Sequence, residues 1–192
     1  MTVLGIIPAR AESKRLPNKN RAILGGCTLV EWTIKAAVNS GVFDKIVVTT
    51  DDDRVAEVAK KHPVDILRRP EYLTHDHLPM FPVVLHAVAA YPKTIVAILL
   101  QPTSPFRDSN DIREAFVAWS RARSLVSVDP DGNENGAIFI AHVDTLKGGY
   151  IYDEDGGNFD RHKMDRVSSI DINTQGDLDR ARLIMAWRAN AG

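Results

Sequence analysis

Apolar runs of strand length alternate with stretches of helical periodicity from the third residue of this 192-residue chain onward, and few folds accept that order. Val3 to Pro8 reads as a buried strand, and the polar, Pro-containing stretch Ala9 to Asn20 as a long loop. Leu29 to Ser40 reads as a helix ended by Gly41, and the β-branched run Lys45 to Thr50 as a strand. Val55, Val58, Ala59 and His62 fall at helical spacing until Pro63 stops them, and Asp65 to Arg68 is a short strand candidate. Met80, Val83, Val84, Ala87, Val88 and Tyr91 form one helical stripe, followed by the apolar run Thr94 to Leu100 as a fully buried strand. After the loop Gln101 to Arg107, Asp108 or Ser109 caps a helix with Ile112, Ala115, Phe116 and Trp119 on its inner face. Arg107 beside Asp108 allows an ion pair at the start of that helix.

The last third is less regular. Ser124 to Val128 reads as a strand, Asp129 to Asn135 as a turn cluster and Ala137 to Ala141 as a strand, whereas 142–168 has no assignable period. Ser169 to Ile172 is a final short strand candidate and Asp177 to Trp187 a final helix, with Trp32, Trp119 and Trp187 all expected in the core. Such alternation predicts βαβ units, a mostly parallel sheet covered by helices on both faces, and one domain over 1–192. Ligands then bind beyond the carboxyl ends of the strands, where Ala9–Asn20, Thr49–Asp53, Gln101–Arg107 and the Asp171 end of the last strand would meet.

Charge narrows the ligand. Lys and Arg number 24 and Asp and Glu 25, a net −1 that argues against a general nucleic-acid binder. No apolar run reaches the roughly 20 residues of a membrane helix, and the start at Met1 lacks a cationic flank, so the chain reads as cytoplasmic and complete. The single cysteine, Cys27, beside Gly25-Gly26, supports neither an internal disulfide nor a zinc site and reads as a turn-flanking residue. His75 and His77 flank Asp76, but with no third ligand in sight this is a polar loop. The near-neutral total conceals an asymmetry. Arg10, Lys14, Arg15, Lys19 and Arg21 face Glu12 alone, a local +4, while Asp144 to Asp179 carries nine acids against four cations, a local −5. A basic loop after the first strand suits a triphosphate, and it lacks the glycines of a dinucleotide fingerprint or a Walker A loop.

The motifs taken together resemble one family. Ile6-Ile7-Pro8-Ala9-Arg10, then Ser13-Lys14-Arg15-Leu16-Pro17 and Lys19-Asn20, are similar to the opening signature of the CMP-sialic acid synthetases, or acylneuraminate cytidylyltransferases. The resemblance continues in order through Arg69-Pro70, Leu73 and Asp76, then Leu99 to Arg107, Asn135 to Ile140, and Ser169 to Asn173 with Asp177-Leu178. It implies a Rossmann-like, GT-A-like nucleotidyltransferase with three α/β/α layers, and a magnesium-dependent transfer of CMP from CTP to a 2-keto sugar acid with loss of pyrophosphate. By that resemblance Arg10, Ser13, Lys14 and Lys19 hold the triphosphate, with Arg10 and Lys19 neutralising the leaving group. Asn20 meets the ribose or base, Arg69 the cytosine, Gln101 the sugar acid, and Asp171 with Asn173 occupy the metal positions.

Three departures accompany it. The second metal position is Asn173 where the family has aspartate, and Met80 stands where relatives place a hydroxyl near the base. Between Val128 and Asn135 the family carries a few tens of additional residues that form a dimerisation arm, replaced here by Asp129 to Asn135. A family-type homodimer is therefore not inherited. The alternatives are a cytidylyltransferase for another sugar acid such as KDO, or a nucleotide-binding relative with weakened or lost catalysis.

Overall fold

A computed structural model describes residues 2–75, 78–119, 123–148 and 159–190. Strands β1 (Val3–Pro8), β4 (Lys45–Thr50), β5 (Asp65–Arg68), β6 (Val96–Leu100), β7 (Ser124–Val128), β8 (Glu134–His142) and β9 (Phe159–Lys163) form one seven-stranded sheet, ordered β5-β4-β1-β6-β8-β7-β9. Only β8 runs against its neighbours, pairing antiparallel with β6 and β7. A separate two-stranded hairpin joins β2 (Ile23–Leu24) to β3 (Cys27–Thr28). The helices are α1 (Leu29–Ser40), α2 (Asp53–Ala59), α3 (Met80–Ala90), α4 (Ser109–Ala118), α5 (Val143–Lys147) and α6 (Gln175–Asn190).

Side-chain alternation makes the layers. Val96, Ile98 and Leu100 of β6 join the core shared with α1, α2 and α4, whereas Ala97 and Leu99 face the core of α3 and α5. Successive strand residues point to opposite faces, so a continuous apolar run is what a strand covered on both sides requires. The expected three-layer α/β/α architecture with a mostly parallel sheet is what forms.

A third apolar cluster lies off the sheet and fixes the C-terminal segment. Leu16 of the basic loop, Leu24, Leu29, Phe106, Ile172, Leu178 and Ala181 are buried together, with Met185 packed against them. The hairpin turns at Gly25 and Gly26, whose φ values of +54 and +87 suit the left-handed pair of a tight two-residue turn. Met185 Cγ lies 2.8 Å from where a Gly25 side chain would begin, so α6 packs on the turn itself.

Several expectations need correction. Ser169 to Ile172 is no strand: Ile172 donates its amide to the Thr103 carbonyl at 2.7 Å, a loop carbonyl rather than a sheet neighbour. The helix carrying Val55 ends at Ala59, before His62, and β6 begins at Val96 rather than Thr94. Strand β8 starts at Glu134, inside the expected turn cluster. Trp187 is 69% exposed, because α6 buries only Leu178 and Ala181. Arg107 is 1% exposed and donates to the Ala137 carbonyl (3.2 Å) and Thr33 Oγ1 (2.9 Å), so it clamps β8 to α1 and makes no surface pair. Within 142–168, where sequence gave no assignment, the described residues form α5 and β9. Asp76, His77 and the acids Asp153, Glu154 and Asp155 lie outside the described residues.

Gly25→Ala places a methyl against Met185 at a positive φ. A loss of about 1–3 kcal/mol in urea unfolding is expected. An unchanged midpoint would show that the hairpin does not pin α6.

Candidate active site

The parallel strands deliver the basic loop, Arg69 and Gln101 to one edge. The loop leaves β1 at Pro8, Asp51 and Asp52 follow β4, Arg69 follows β5, and Gln101 follows β6. Backbone bonds set the loop's path: Ala9 donates to the Thr49 carbonyl (3.0 Å) and Ala11 to Asp51 Oδ1 (2.9 Å). Asn20 is buried, and its amide nitrogen donates to the Arg10 carbonyl at 2.9 Å, closing the loop on itself. Arg21 pairs with Asp52 at 2.8 Å, and Asp52 in turn caps α2 through the Arg54 amide at 2.8 Å. The loop is thus tied at both ends to the carboxyl edge of the sheet.

A cavity of about 230 Å³ results, walled by Arg10, Ser13, Arg15, Lys19, Asn20, Arg69, Gln101 and Asn173. Of the residues expected from sequence, Lys14 lines a separate shallow hollow with Pro17 and Asn18. Asp171 lies beside the cavity, where its carboxylate accepts from the Asn173 amide nitrogen and faces Lys19 electrostatically. Asn20 enters the wall with its amide nitrogen already engaged by Arg10. Sequence reasoning counted Arg15 among the loop's charges without giving it a role, and did not single out Thr103 or Val83 of the wall. Arg15 had a signal in the local charge, but its direction depends on the loop's path.

Electrostatics differ among the cations. Burial lowers the Arg69 guanidinium to about 10, with Arg10 acting in the same sense and Asp51 opposing. Its Nη2 donates to the Thr49 carbonyl at 2.9 Å, so the group is buried and aimed. Burial also lowers Lys19, chiefly against the opposing pull of Asp171. Lys19 Nζ donates to Asn173 Oδ1 at 3.1 Å and Arg15 Nη2 to the same oxygen at 2.9 Å. A cavity whose charged side chains are mostly cations suits a polyanion.

Beyond Gln101 and Met80, which belong to both walls, lies a second cavity of about 250 Å³. It is mainly apolar, with Phe81, Val84, Leu99, Ile138, Phe139 and Leu146, and with Ser127 and Glu134 as polar groups. Gln101 lies over Gly136, where an added side chain would start 3.4 Å from Nε2. The site therefore offers a basic compartment and an apolar one with an amide between them.

The family profile described as Cytidylyltransferase matches residues 4–137 of this sequence. The chain belongs to the cytidylyltransferase family. It is 34% identical to an N-acylneuraminate cytidylyltransferase of Escherichia coli O18:K1:H7, over 93% of this chain and 51% of that protein. It is 39% identical to a CMP-N,N'-diacetyllegionaminic acid synthase of Legionella pneumophila, over 68% of this chain and 59% of that protein. The chain thus spans a little over half the length of these curated relatives. The alignment with the E. coli protein runs over 219 positions. It uses 93% of these 192 residues, so about 40 positions of the relative have no counterpart here. In fold, a CMP:2-keto-3-deoxy-manno-octonic acid synthetase solved with CTP superimposes with a TM-score of 0.80 at 15% identity, covering 98% of this chain and 100% of that one.

The cytidylyltransferase resemblance implies magnesium, and the residues fit it in part. Among the described residues no three His, Cys, Asp or Glu side chains gather into a metal cluster. Asp171 is an exposed carboxylate suited to sharing a hard cation with phosphate oxygens, whereas the Asn173 carbonyl is already the acceptor for two cationic side chains.

The segment bearing both is held by Asp177, whose Oδ2 accepts from the amides of Asn173 (3.1 Å) and Thr174 (2.8 Å) and from Thr174 Oγ1 (2.8 Å). The Thr174 side chain foremost, then these amides and Arg180, hold the Asp177 carboxyl at about 2 against an ordinary 3.8. Because the folded value is depressed, this stabilisation is present above about pH 4 and lost as pH falls through about 2. Asp177→Ala is expected to cost about 0.5–2 kcal/mol at pH 7 in urea unfolding. The gap to the native protein should close between about pH 4 and 2, and a gap constant with pH would contradict this account.

Proposed function

We propose that the chain transfers CMP from CTP to a sialic-acid-like 2-keto sugar acid, releasing pyrophosphate. The observation that carries this reading is the convergence of Arg10, Ser13, Lys19, Arg69 and Gln101 from three different strand ends on one cavity beside an apolar one. The named activities of the E. coli and Legionella relatives support the donor and the acceptor class.

The triphosphate lies along the first loop, with Arg10, Ser13 and Lys19 on its oxygens and Lys14 reaching it from the outer side of the loop. Arg69, fixed by the Thr49 carbonyl, presents its guanidinium to the cytosine. Asn20 orders Arg10 from behind and meets the nucleoside at the cavity wall. The acceptor enters past Gln101, with its apolar substituents toward Phe81, Leu99 and Phe139. Its anomeric hydroxyl attacks the α-phosphorus, the bond to the bridging oxygen breaks, and the hydroxyl proton leaves to solvent. Charge that builds on the departing pyrophosphate meets Arg10 and Lys19, which are already oriented before the reaction. Magnesium, when bound, neutralises and aligns phosphate oxygens, and Asp171 is the carboxylate that would hold it, with Asn173 the adjoining position.

CTP, magnesium and a panel of sugar acids that includes sialic acid and KDO should give pyrophosphate for at least one acid. Lys19→Ala should lower that turnover by about 100-fold or more. Unchanged turnover would remove Lys19 from the chemistry. The short Asp129–Asn133 connection and the amide at position 173 favour a second reading, a nucleotide-binding protein without catalysis. CTP binding with no pyrophosphate from any acid would establish that reading instead.

A further inference from the structure

The two cations nearest the C-terminal segment converge on a neutral group. Asn173 Oδ1 accepts from Lys19 Nζ at 3.1 Å and from Arg15 Nη2 at 2.9 Å, and the same amide donates to Asp171. Lys and Arg can only donate and a carboxylate can only accept, so this surrounding admits one orientation of the amide. Its backbone is fixed on both sides: Ile172 donates to the Thr103 carbonyl at 2.7 Å, and Asn173 itself donates to Asp177 Oδ2 at 3.1 Å. Among the described residues neither Lys19 nor Arg15 has a carboxylate within ion-pair distance, although Asp171 is two residues from their acceptor.

A carboxylate at this position would face Lys19 and Arg15 at about 3 Å. It would pair with both, consume their charge, and become an attractive metal ligand beside Asp171. An amide orders the same two side chains and leaves their charge unspent. We infer that Asn173 is not a metal ligand but a neutral bracket that aims Lys19 and Arg15 at the triphosphate, so that this chain binds the anion without requiring a divalent cation. The inference rests on the reading of the basic cavity as the triphosphate site. It assigns Arg15 to nucleotide binding and leaves Asp171, rather than position 173, as the carboxylate toward a metal.

Calorimetric titration with CTP, in EDTA and in magnesium, tests it without any turnover. The native protein should bind CTP in EDTA within about threefold of its affinity in magnesium. Asn173→Asp should bind about tenfold or more weakly in EDTA and recover with magnesium. Asn173→Ala, which removes the bracket without adding charge, should lose affinity equally in both buffers. Inorganic tripolyphosphate should repeat the pattern, since the effect acts on charge alone. Thermal unfolding of each variant shows whether it is folded. Equal affinity of Asn173→Asp and native protein in EDTA would overturn the inference, as would a native protein that needs magnesium as steeply as that variant. No CTP binding by the native protein in either buffer would overturn both the inference and the reading of the cavity.

Discussion

Burial of Ile172 against Leu16, Phe106 and Leu178 joins the two ends of the chain, and the candidate site depends on that joint. Leu16 belongs to the basic loop, four residues from Asn20, and Ile172 sits between Asp171 and Asn173. One apolar cluster therefore brings a loop rich in cations to a segment that offers Lys19 and Arg15 an amide with a carboxylate behind it. The hydrophobic effect has no direction of its own, but here it acts on residues adjacent to polar ones and so sets the distance between charges. The Ile172 amide bond to Thr103, in the loop after β6, adds the third side and brings Gln101 into the same wall.

The division of the site into two compartments follows from the strand order. With β8 antiparallel beside β6, the start of β8 rather than its end lies at the carboxyl edge, and Gly136 comes under Gln101. Arg107 holds β8 there through the Ala137 carbonyl, and Asn135 ties the same stretch to Ser127, whose hydroxyl donates to its Oδ1, and to Ser169 at 3.0 Å. The apolar cavity is therefore bounded by buried polar links that cost several kcal/mol to break. The preceding turn is closed by Asp129, which accepts from the amides of Asp131 and Asn133 at 2.9 Å. A connection this compact presents little surface of its own, so under the proposed function an acceptor would be met by residues of the sheet and of α3.

Much of this was legible in the sequence, for a physical reason. Strands covered on both faces must be largely apolar, so β1, β4 and β7 emerge with the expected bounds, as do the edge strand β5 and helix α1 from their own local patterns. The basic loop was legible because charge density survives any path the backbone takes. What sequence hid depends on three-dimensional direction. Ser169 to Ile172 has strand-like composition, yet Ile172 is buried by side chains from a loop and a helix and has no strand beside it. Arg107 looked like a surface charge because nothing local reports that Thr33 and a β8 carbonyl lie within its reach. Trp187 looked like core because size suggests burial, while α6 packs its apolar side chains through Leu178, Ala181, Ile184 and Met185 and leaves Trp187 exposed.

We propose that the first loop and the Ile172 segment together form one triphosphate site. A crystal structure with CTP bound tests it directly. The account predicts phosphate oxygens within hydrogen-bond reach of Lys19 Nζ and Arg10, with Asn173 still accepting from Lys19 and the base toward Arg69. A nucleotide whose triphosphate lies away from Lys19, or whose phosphates displace the Asn173 segment from Thr103, would contradict it.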